Sequence, residues 1–108
     1  MKTRIYRDYF KNLNAETNID MPEIGERRFL RVNTSKRSDG LLTTSVSVSE
    51  RNADGSGYTH ALFRDFFKTV LKEKVRCTEK AVARQHEQVL QHIASFKDEA
   101  TRHYGVAA

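Results

Sequence analysis

The residues of this chain whose types and spacing could support chemistry are four histidines, one cysteine and an ordered set of lysines and arginines. No two histidines among His60, His86, His92 and His103 stand three or four positions apart, as a metal-binding pair on a helix requires. Glu99 has that spacing from His103, but a single pair is a weak signal. We therefore expect no metal site and no cofactor.

Cys77 is the only thiol, so the chain cannot form an internal disulfide. Lys74 and Arg76 precede it and a predicted helix start follows it, and both features lower a thiol pKa. A catalytic cysteine also needs a positioned base, which the sequence does not indicate. The Gly-Ser-Gly run at 55–57 lacks the later glycine and lysine of a phosphate-binding loop, and no acidic pair suggests acid-base work. We expect that the protein is not an enzyme.

The basic residues are better organised than the acidic ones. The chain carries 19 Lys and Arg against 14 Asp and Glu, a formal net charge of +5. One predicted hairpin presents polar and cationic side chains on its outer side, and a predicted helix carries cations that step by four, a pattern suited to phosphate contacts. The predicted nucleic-acid contacts are Arg31, Asn33, Lys36, Arg37, Arg64, Lys68 and Lys72. The alternative is that both surfaces are merely solvated.

The hairpin is predicted from two runs with a period of two, within residues 28–50. A two-residue turn at Asp39-Gly40 would set Val32 against Ser47, an apolar face against a polar one. A three-residue loop, residues 38–40, instead pairs Val32 with Val46 and leaves Gly40 in the left-handed bulge position. We adopt the second register. A ribbon of this kind fits the DNA major groove.

The stretch from Phe63 to Leu71 has aromatic and aliphatic residues at helical spacing, which predicts an amphipathic helix that packs on the hairpin. A third strand that begins at Tyr58 and pairs with residues 46–50 is the competing interpretation. It would turn the hairpin into a three-stranded meander.

Residues 79–104 contain no Gly or Pro and predict one long C-terminal helix, with Thr78 as its N-cap and Gly105 at its end. Apolar residues and histidines recur in steps of four and three, which is a heptad seam typical of a coiled coil. The predicted interface residues are Val82, His86, Val89, Ile93, Phe96 and Ala100. The seam indicates a homodimer, and the alternative is a helix that lies across its own sheet.

The sequence predicts a single domain of the α+β class, an antiparallel hairpin packed against helices. Residues 1–27 form an N-terminal helix or arm and a linker, 28–77 the hairpin and amphipathic helix, and 78–105 the long helix. No apolar run is long enough to span a membrane and the N-terminus lacks a signal-peptide pattern, so we expect a cytoplasmic protein. The function hypotheses are a small DNA- or RNA-binding accessory or regulatory protein, or an adaptor or inhibitor that docks on another protein.

Overall fold

The computed structural model describes residues 2–59 and 65–105, which form one antiparallel β-sheet and two short helices. The strands are β1 (Thr3–Arg7), β2 (Leu13–Asp20), β3 (Arg28–Lys36), β4 (Leu42–Arg51), β5 (Tyr58–Thr59) and β6 (Phe67–Glu73). The helices are α1 (Glu79–Leu90) and α2 (Ile93–His103).

The sheet is a meander in which β1 to β4 each pair with the next strand along the chain. β5 and β6 share the fifth position, because both pair with the same edge of β4. The predicted fold class, a hairpin packed against helices with a long C-terminal helix, is therefore wrong. The structure is mostly β, with two short helices on one face of a sheet that includes the N-terminal residues.

The predicted hairpin register is confirmed for β3 and β4. Val32 pairs with Val46, and the Arg37 N–H donates to the Leu41 carbonyl at 3.0 Å to close the loop. Gly40 has a φ of 82°, the left-handed conformation that the bulge position requires. The register places one apolar and one polar face on the ribbon, as alternation demands.

Residues 3–7 and 13–20 form two strands, so the predicted N-terminal helix is wrong, and the predicted linker is a strand up to Asp20 and a loop only after it. Ile5 pairs with Ala15, and Ala15 pairs with Thr34, which joins this segment to the hairpin. A period of two is present in β2, but Ala and Thr are weakly apolar and Asn and Asp are poor strand formers, which obscured it. The β2 residues that share the helix-covered face are Leu13, Ala15, Thr17 and Ile19.

The predicted amphipathic helix from Phe63 to Leu71 is also wrong, because the chain forms β6 from Phe67; residues 63 and 64 lie outside the described ranges. A β-bulge in the β4–β6 pairing breaks the alternation. As a result Val70 and Leu71, which are consecutive, both pack against the core that contains Phe66. In a bulged strand, the buried apolar residues can therefore recur at a spacing that resembles that of a helix.

The competing interpretation of the same stretch, a third strand from Tyr58, is correct at its start. Tyr58 pairs with Arg51, and Thr59 pairs with Glu50. The structure adds β6 further along the same edge of β4, beside residues 42–47.

The predicted long helix is wrong because the chain breaks at Gln91 and His92, although both predicted ends are correct. Thr78 Oγ1 accepts a hydrogen bond from the Ala81 N–H at 3.1 Å, and Gly105, with φ of 60°, follows α2. A straight helix over residues 79–104 would be about 39 Å long. Two of the three molecular dimensions, 45 × 29 × 24 Å, are shorter than that.

The predicted seam residues pack on the chain's own sheet. Val82, His86, Val89, Phe96 and Ala100 expose between 0% and 8% of their surface, and the partly buried Ile93 packs against the same core. They recur in steps of three and four because they lie on the sides of α1 and α2 that pack on β2, β3 and β4. The heptad pattern therefore no longer supports a coiled-coil dimer.

Candidate functional site

The sheet face opposite the helices, which we call the outer face, carries a polar network centred on Glu16. The Nε and Nη2 atoms of Arg31 donate to Glu16 Oε1 at 3.1 and 2.7 Å. The Tyr6 hydroxyl donates to the same oxygen at 3.3 Å, and Asn18 donates to Oε2 at 3.2 Å. The side chains of Arg31 and Glu16 are 16% and 5% exposed, so this is a largely buried ion pair in which two guanidinium N–H groups share one carboxylate oxygen.

The Glu16 carboxylate remains ionised in this network. Burial would raise the pKa of Glu16, but the charge and hydrogen bonds of Arg31, with the hydrogen bond from Asn18, hold that pKa below its ordinary value. Burial, and then the charge of Glu16, raise the pKa of the Tyr6 hydroxyl, so the hydroxyl stays protonated and donates a hydrogen bond to the carboxylate. Arg31 therefore has a structural partner within its own sheet.

The rest of the predicted ribbon surface is largely inaccessible. Asn33 is 4% exposed and donates to Asn14 Oδ1 at 3.2 Å, while Ser45 and Ser47 on the next strand are 4% and 2% exposed. Side chains this deeply covered cannot reach the base edges of a duplex. Of the residues predicted here, Lys36 and Arg37 are the ones that the structure leaves exposed, at the end of β3.

The predicted stripe of Lys68 and Lys72 does not form one surface. The β-bulge separates these lysines, so Lys68 lies opposite Val46 on the helix side, whereas Lys72 lies opposite Thr43 on the outer face. Lys68 pairs with Glu99 of α2, and Lys72 pairs with Asp39 in the β3–β4 loop at 3.2 Å. The third member of the stripe, Arg64, lies outside the described residues.

A different set of cations gathers at one end of the sheet. The strand register places the end of β1, the start of β2, the β3–β4 loop and the end of β6 side by side there. These segments carry three acids, Asp8, Asp39 and Glu73, and α1, which begins beside them, adds Glu79 and Lys80, so basic residues outnumber acids at this end. We call this surface the cationic end; its seven basic residues are Arg7, Lys11, Lys36, Arg37, Lys72, Lys74 and Arg76.

The connection from β6 to α1 shows how the sequence builds this surface. Val75 and Cys77 turn inward and pack against the core cluster that contains Leu42, so Lys74 and Arg76, which alternate with them, are exposed. This short alternation of apolar and basic residues was visible in the sequence. Its location beside the β3–β4 loop was not, because the location follows from the pairing of β6 with β4.

The electrostatic environment of Arg37 suits an anion. Burial, and then the charge of Arg31, lower the pKa of the Arg37 guanidinium from its ordinary value. Arg37 Nη2 donates to Ser45 Oγ at 3.2 Å, a neutral partner, and the charge of Asp39 offsets the lowering only in part. A bound anion would stabilise the ionised guanidinium, as a neighbouring carboxylate would.

Under the helices, His86 forms a second polar cluster. Its Nε2 and Nδ1 atoms each lie 2.8 Å from a threonine hydroxyl, those of Thr17 and Thr34 respectively. Gln85 donates to the Leu42 carbonyl at 3.0 Å and to Thr44 at 3.1 Å. Burial lowers the pKa of His86 to about 4 and outweighs the opposing effect of the Glu16 charge, so the ring is neutral at pH 7. This cluster fixes α1 on the sheet.

Other kinds of site receive no support from the described residues. They contain no group of three or more His, Cys, Asp and Glu side chains that could hold a metal ion. Cys77 is half-buried and packs against the core cluster that contains Leu42. Neither helix in residues 2–59 and 65–105 is long and apolar enough to cross a membrane.

Comparison with known proteins gives no family for this chain: no protein-family model, curated protein or solved structure matches it. The functional argument therefore rests on the surfaces of the molecule itself, and above all on the cationic end.

Proposed function

We propose that this protein binds nucleic acid through the cationic end, as a small accessory or regulatory protein. The observation that carries the proposal is the gathering of seven basic side chains at one end of the sheet. Among the described residues, only Lys72 of these seven forms an ion pair within the molecule, with Asp39. Cations without acidic partners are free to bind phosphates. Binding is favoured because each phosphate that is neutralised releases counterions condensed on the nucleic acid.

The opposite end of the sheet provides the contrast. There Arg28 pairs with Glu50 at 3.5 Å and Arg51 pairs with Asp20 at 2.5 Å. Charges compensated in this way attract a polyanion weakly. The asymmetry between the two ends orients the molecule on a nucleic acid and makes the cationic end the contact surface.

Contacts of this kind position a protein on the phosphate backbone and carry no sequence information directly. The outer face, where base reading was predicted, is occupied by its own hydrogen bonds around Glu16 and Arg31. We therefore expect binding that depends weakly on sequence and strongly on salt.

The proposal is tested by fluorescence-anisotropy titration of labelled oligonucleotides over a range of salt concentrations. The double variant Lys74→Ala/Arg76→Ala should weaken binding to all sequences and reduce the slope of log K against log salt by about two units. The matched control is Lys97→Ala/Arg102→Ala, which removes the same charge from α2, the helix that continues into Tyr104 beside Arg28 at the opposite end.

If the control variant loses as much affinity as the cationic-end variant, binding follows net charge rather than this surface. If the wild type binds no oligonucleotide even at the lowest salt concentration, the proposal is wrong.

A second candidate function, docking on a protein, is favoured by one observation. A groove of about 580 Å³ runs between β6 and α1 and is lined by Val70, Leu71 and Val89 among others. No strand in the described chain pairs with the outward edge of β6, and an extended peptide can add to such an edge. Capture of one protein partner that resists high salt, without oligonucleotide binding, would favour this function.

A further inference from the structure

The loop between β1 and β2 presents two aromatic rings to solvent at the cationic end. Tyr9 is 93% exposed and Phe10 is 78% exposed. The two rings contact each other edge to face, with centroids 5.3 Å apart and an interplanar angle of 89°. Neither ring is covered by the body of the protein, and adjacent exposed aromatics are characteristic of binding surfaces.

The loop is built to hold these rings in place. Asp8 Oδ1 accepts hydrogen bonds from the Phe10 and Asn12 N–H groups at 2.9 and 3.0 Å, and Oδ2 accepts one from the Asn14 amide at 3.1 Å. The Lys11 N–H donates to the Asp8 carbonyl at 2.8 Å. The rings therefore stand on a backbone with few alternative conformations.

The backbone also contains a strained residue. Lys11 has a φ of 63°, and it is the one residue other than glycine with positive φ in residues 2–59 and 65–105. Arg7 Nη1 donates to the Lys11 carbonyl at 3.0 Å and helps to hold this conformation. Strain of this kind persists where the surroundings determine it, and it concentrates at functional sites.

We propose that Tyr9 and Phe10 form a stacking site for unpaired bases of a single-stranded nucleic acid. Arg7 and Lys11 flank the rings, and Lys36 follows on the neighbouring hairpin, so phosphates on either side of a stacked base meet cations. Stacking platforms beside cationic surfaces are the common means of binding single strands. The proposal rests on the proposed function, because the cationic end supplies the phosphate contacts.

The chemistry of the loop favours bases over a lipid surface. Two rings supply little apolar area for membrane anchoring, and burying the loop in a bilayer would bring the Asp8 carboxylate into a region where charge is costly. Unpaired bases expose the aromatic faces that a duplex covers. The ring faces that the edge-to-face contact leaves open can therefore receive a base.

The first test compares single-stranded and duplex oligonucleotides in anisotropy titrations with two double variants. Tyr9→Ala/Phe10→Ala and Tyr9→Leu/Phe10→Leu should both lower the affinity for single strands about tenfold or more. The leucine variant is the matched control for hydrophobic contact, because it keeps apolar bulk and removes the rings. The salt slope should stay unchanged, since every cation remains, and thermal unfolding should confirm that both variants fold.

The second test uses the absence of tryptophan from the chain. Phe10→Trp places a single indole in the loop, and its emission should be quenched by a single-stranded oligonucleotide. Ala94→Trp, on the exposed surface of α2, is the control and should not respond.

The outcomes separate this inference from the proposed function. If the wild type binds nucleic acid and both double variants bind single strands equally well, the stacking site is wrong and the proposed function stands. A leucine variant with wild-type affinity would assign the rings to hydrophobic contact and overturn stacking, and so would an indole that responds to anionic vesicles but not to oligonucleotides. No binding by the wild type at the lowest salt concentration would overturn both proposals.

Discussion

Glu16 and Arg31 show how a residue chosen from sequence for binding can instead hold the sheet together. Replacing Glu16 by Gln would leave the Arg31 guanidinium buried without a compensating charge. We expect Glu16→Gln to lower the free energy of unfolding by about 3 kcal/mol, because breaking one side of a buried pair costs more than the pair contributes. Urea denaturation of the variant and the wild type measures the difference.

Arg4 supplies the control for this prediction. Its guanidinium lies 3.6 Å from the same carboxylate, but its side chain is 68% exposed. Arg4→Ala should therefore change the free energy of unfolding by less than about 1 kcal/mol. Equal effects of the two substitutions would show that burial of the Arg31–Glu16 pair is unimportant.

His86 predicts a pH dependence of stability. Its pKa is about 4 in the folded protein, whereas an unfolded histidine titrates near 6.5. Between those pH values the unfolded chain binds the extra proton. The contribution of His86 to the free energy of unfolding is therefore fully present above about pH 6.5 and is lost as the pH is lowered. We expect His86 to account for a loss of about 2 kcal/mol between pH 7 and pH 5.

The measurement is chemical denaturation at several pH values for the wild type, His86→Gln and His92→Gln. His86→Gln should remove this part of the pH dependence even if the variant is less stable at pH 7. His92 is exposed at the break between α1 and α2, so His92→Gln should keep the wild-type profile. A His86→Gln profile that parallels the wild type would contradict the assignment.

At the scale of the elements, the β3–β4 hairpin depends on Gly40. A β-carbon at this position meets no atom within 4 Å, so the cost of a side chain comes from the backbone alone, with φ at 82°. We expect Gly40→Val to destabilise the protein by about 1 kcal/mol or more, and Gly40→Asn by less, because Asn tolerates the left-handed region. Thermal unfolding measures both, and Ser38→Val in the same loop is the control.

The same hairpin illustrates which elements a sequence can predict. β3 and β4 combine strong alternation with a turn whose length is set by matching apolar faces, so their register could be derived. In β2, by contrast, the inward positions include Ala15 and Thr17, which give little hydrophobic contrast. The β-bulge in β6 could not be anticipated, because it appears only when the strand is paired.

The candidate site was harder to predict than the fold. Lys36 and Arg37 were identified because they lie at the end of a strand that was itself predicted. Lys11 and Arg76 were missed as contacts, since the topology that brings their segments to one end of the sheet requires the pairing of β1 to β4 and of β6. Tyr9 and Phe10 belong to the segment that was predicted as an N-terminal helix or arm, although they lie in an exposed loop.

For the molecule as a whole, the two faces of the sheet contribute to stability in different ways. The helix-covered face holds the hydrophobic core, which includes Leu30, Val46 and Phe96. The outer face is tied together by hydrogen bonds between its own side chains. Both faces are therefore used internally, and the ends and edges of the sheet remain for binding. This division supports assigning function to the cationic end rather than to the sheet surface.

The assignment of Phe96 to the chain's own core gives a test at this scale. Phe96 is 8% exposed and packs with Leu90 and Ala100 on the sheet. Phe96→Ala should lower stability by about 3 kcal/mol, and the Tm of wild type and variant should be independent of protein concentration, because mass action affects only assemblies. The control is Arg102→Ala, an exposed position on the same helix that should leave the Tm nearly unchanged. The opposite result is a wild-type Tm that rises with protein concentration and a Phe96→Ala Tm that does not. It would place Phe96 between two chains, because only a contact across an interface makes stability depend on protein concentration.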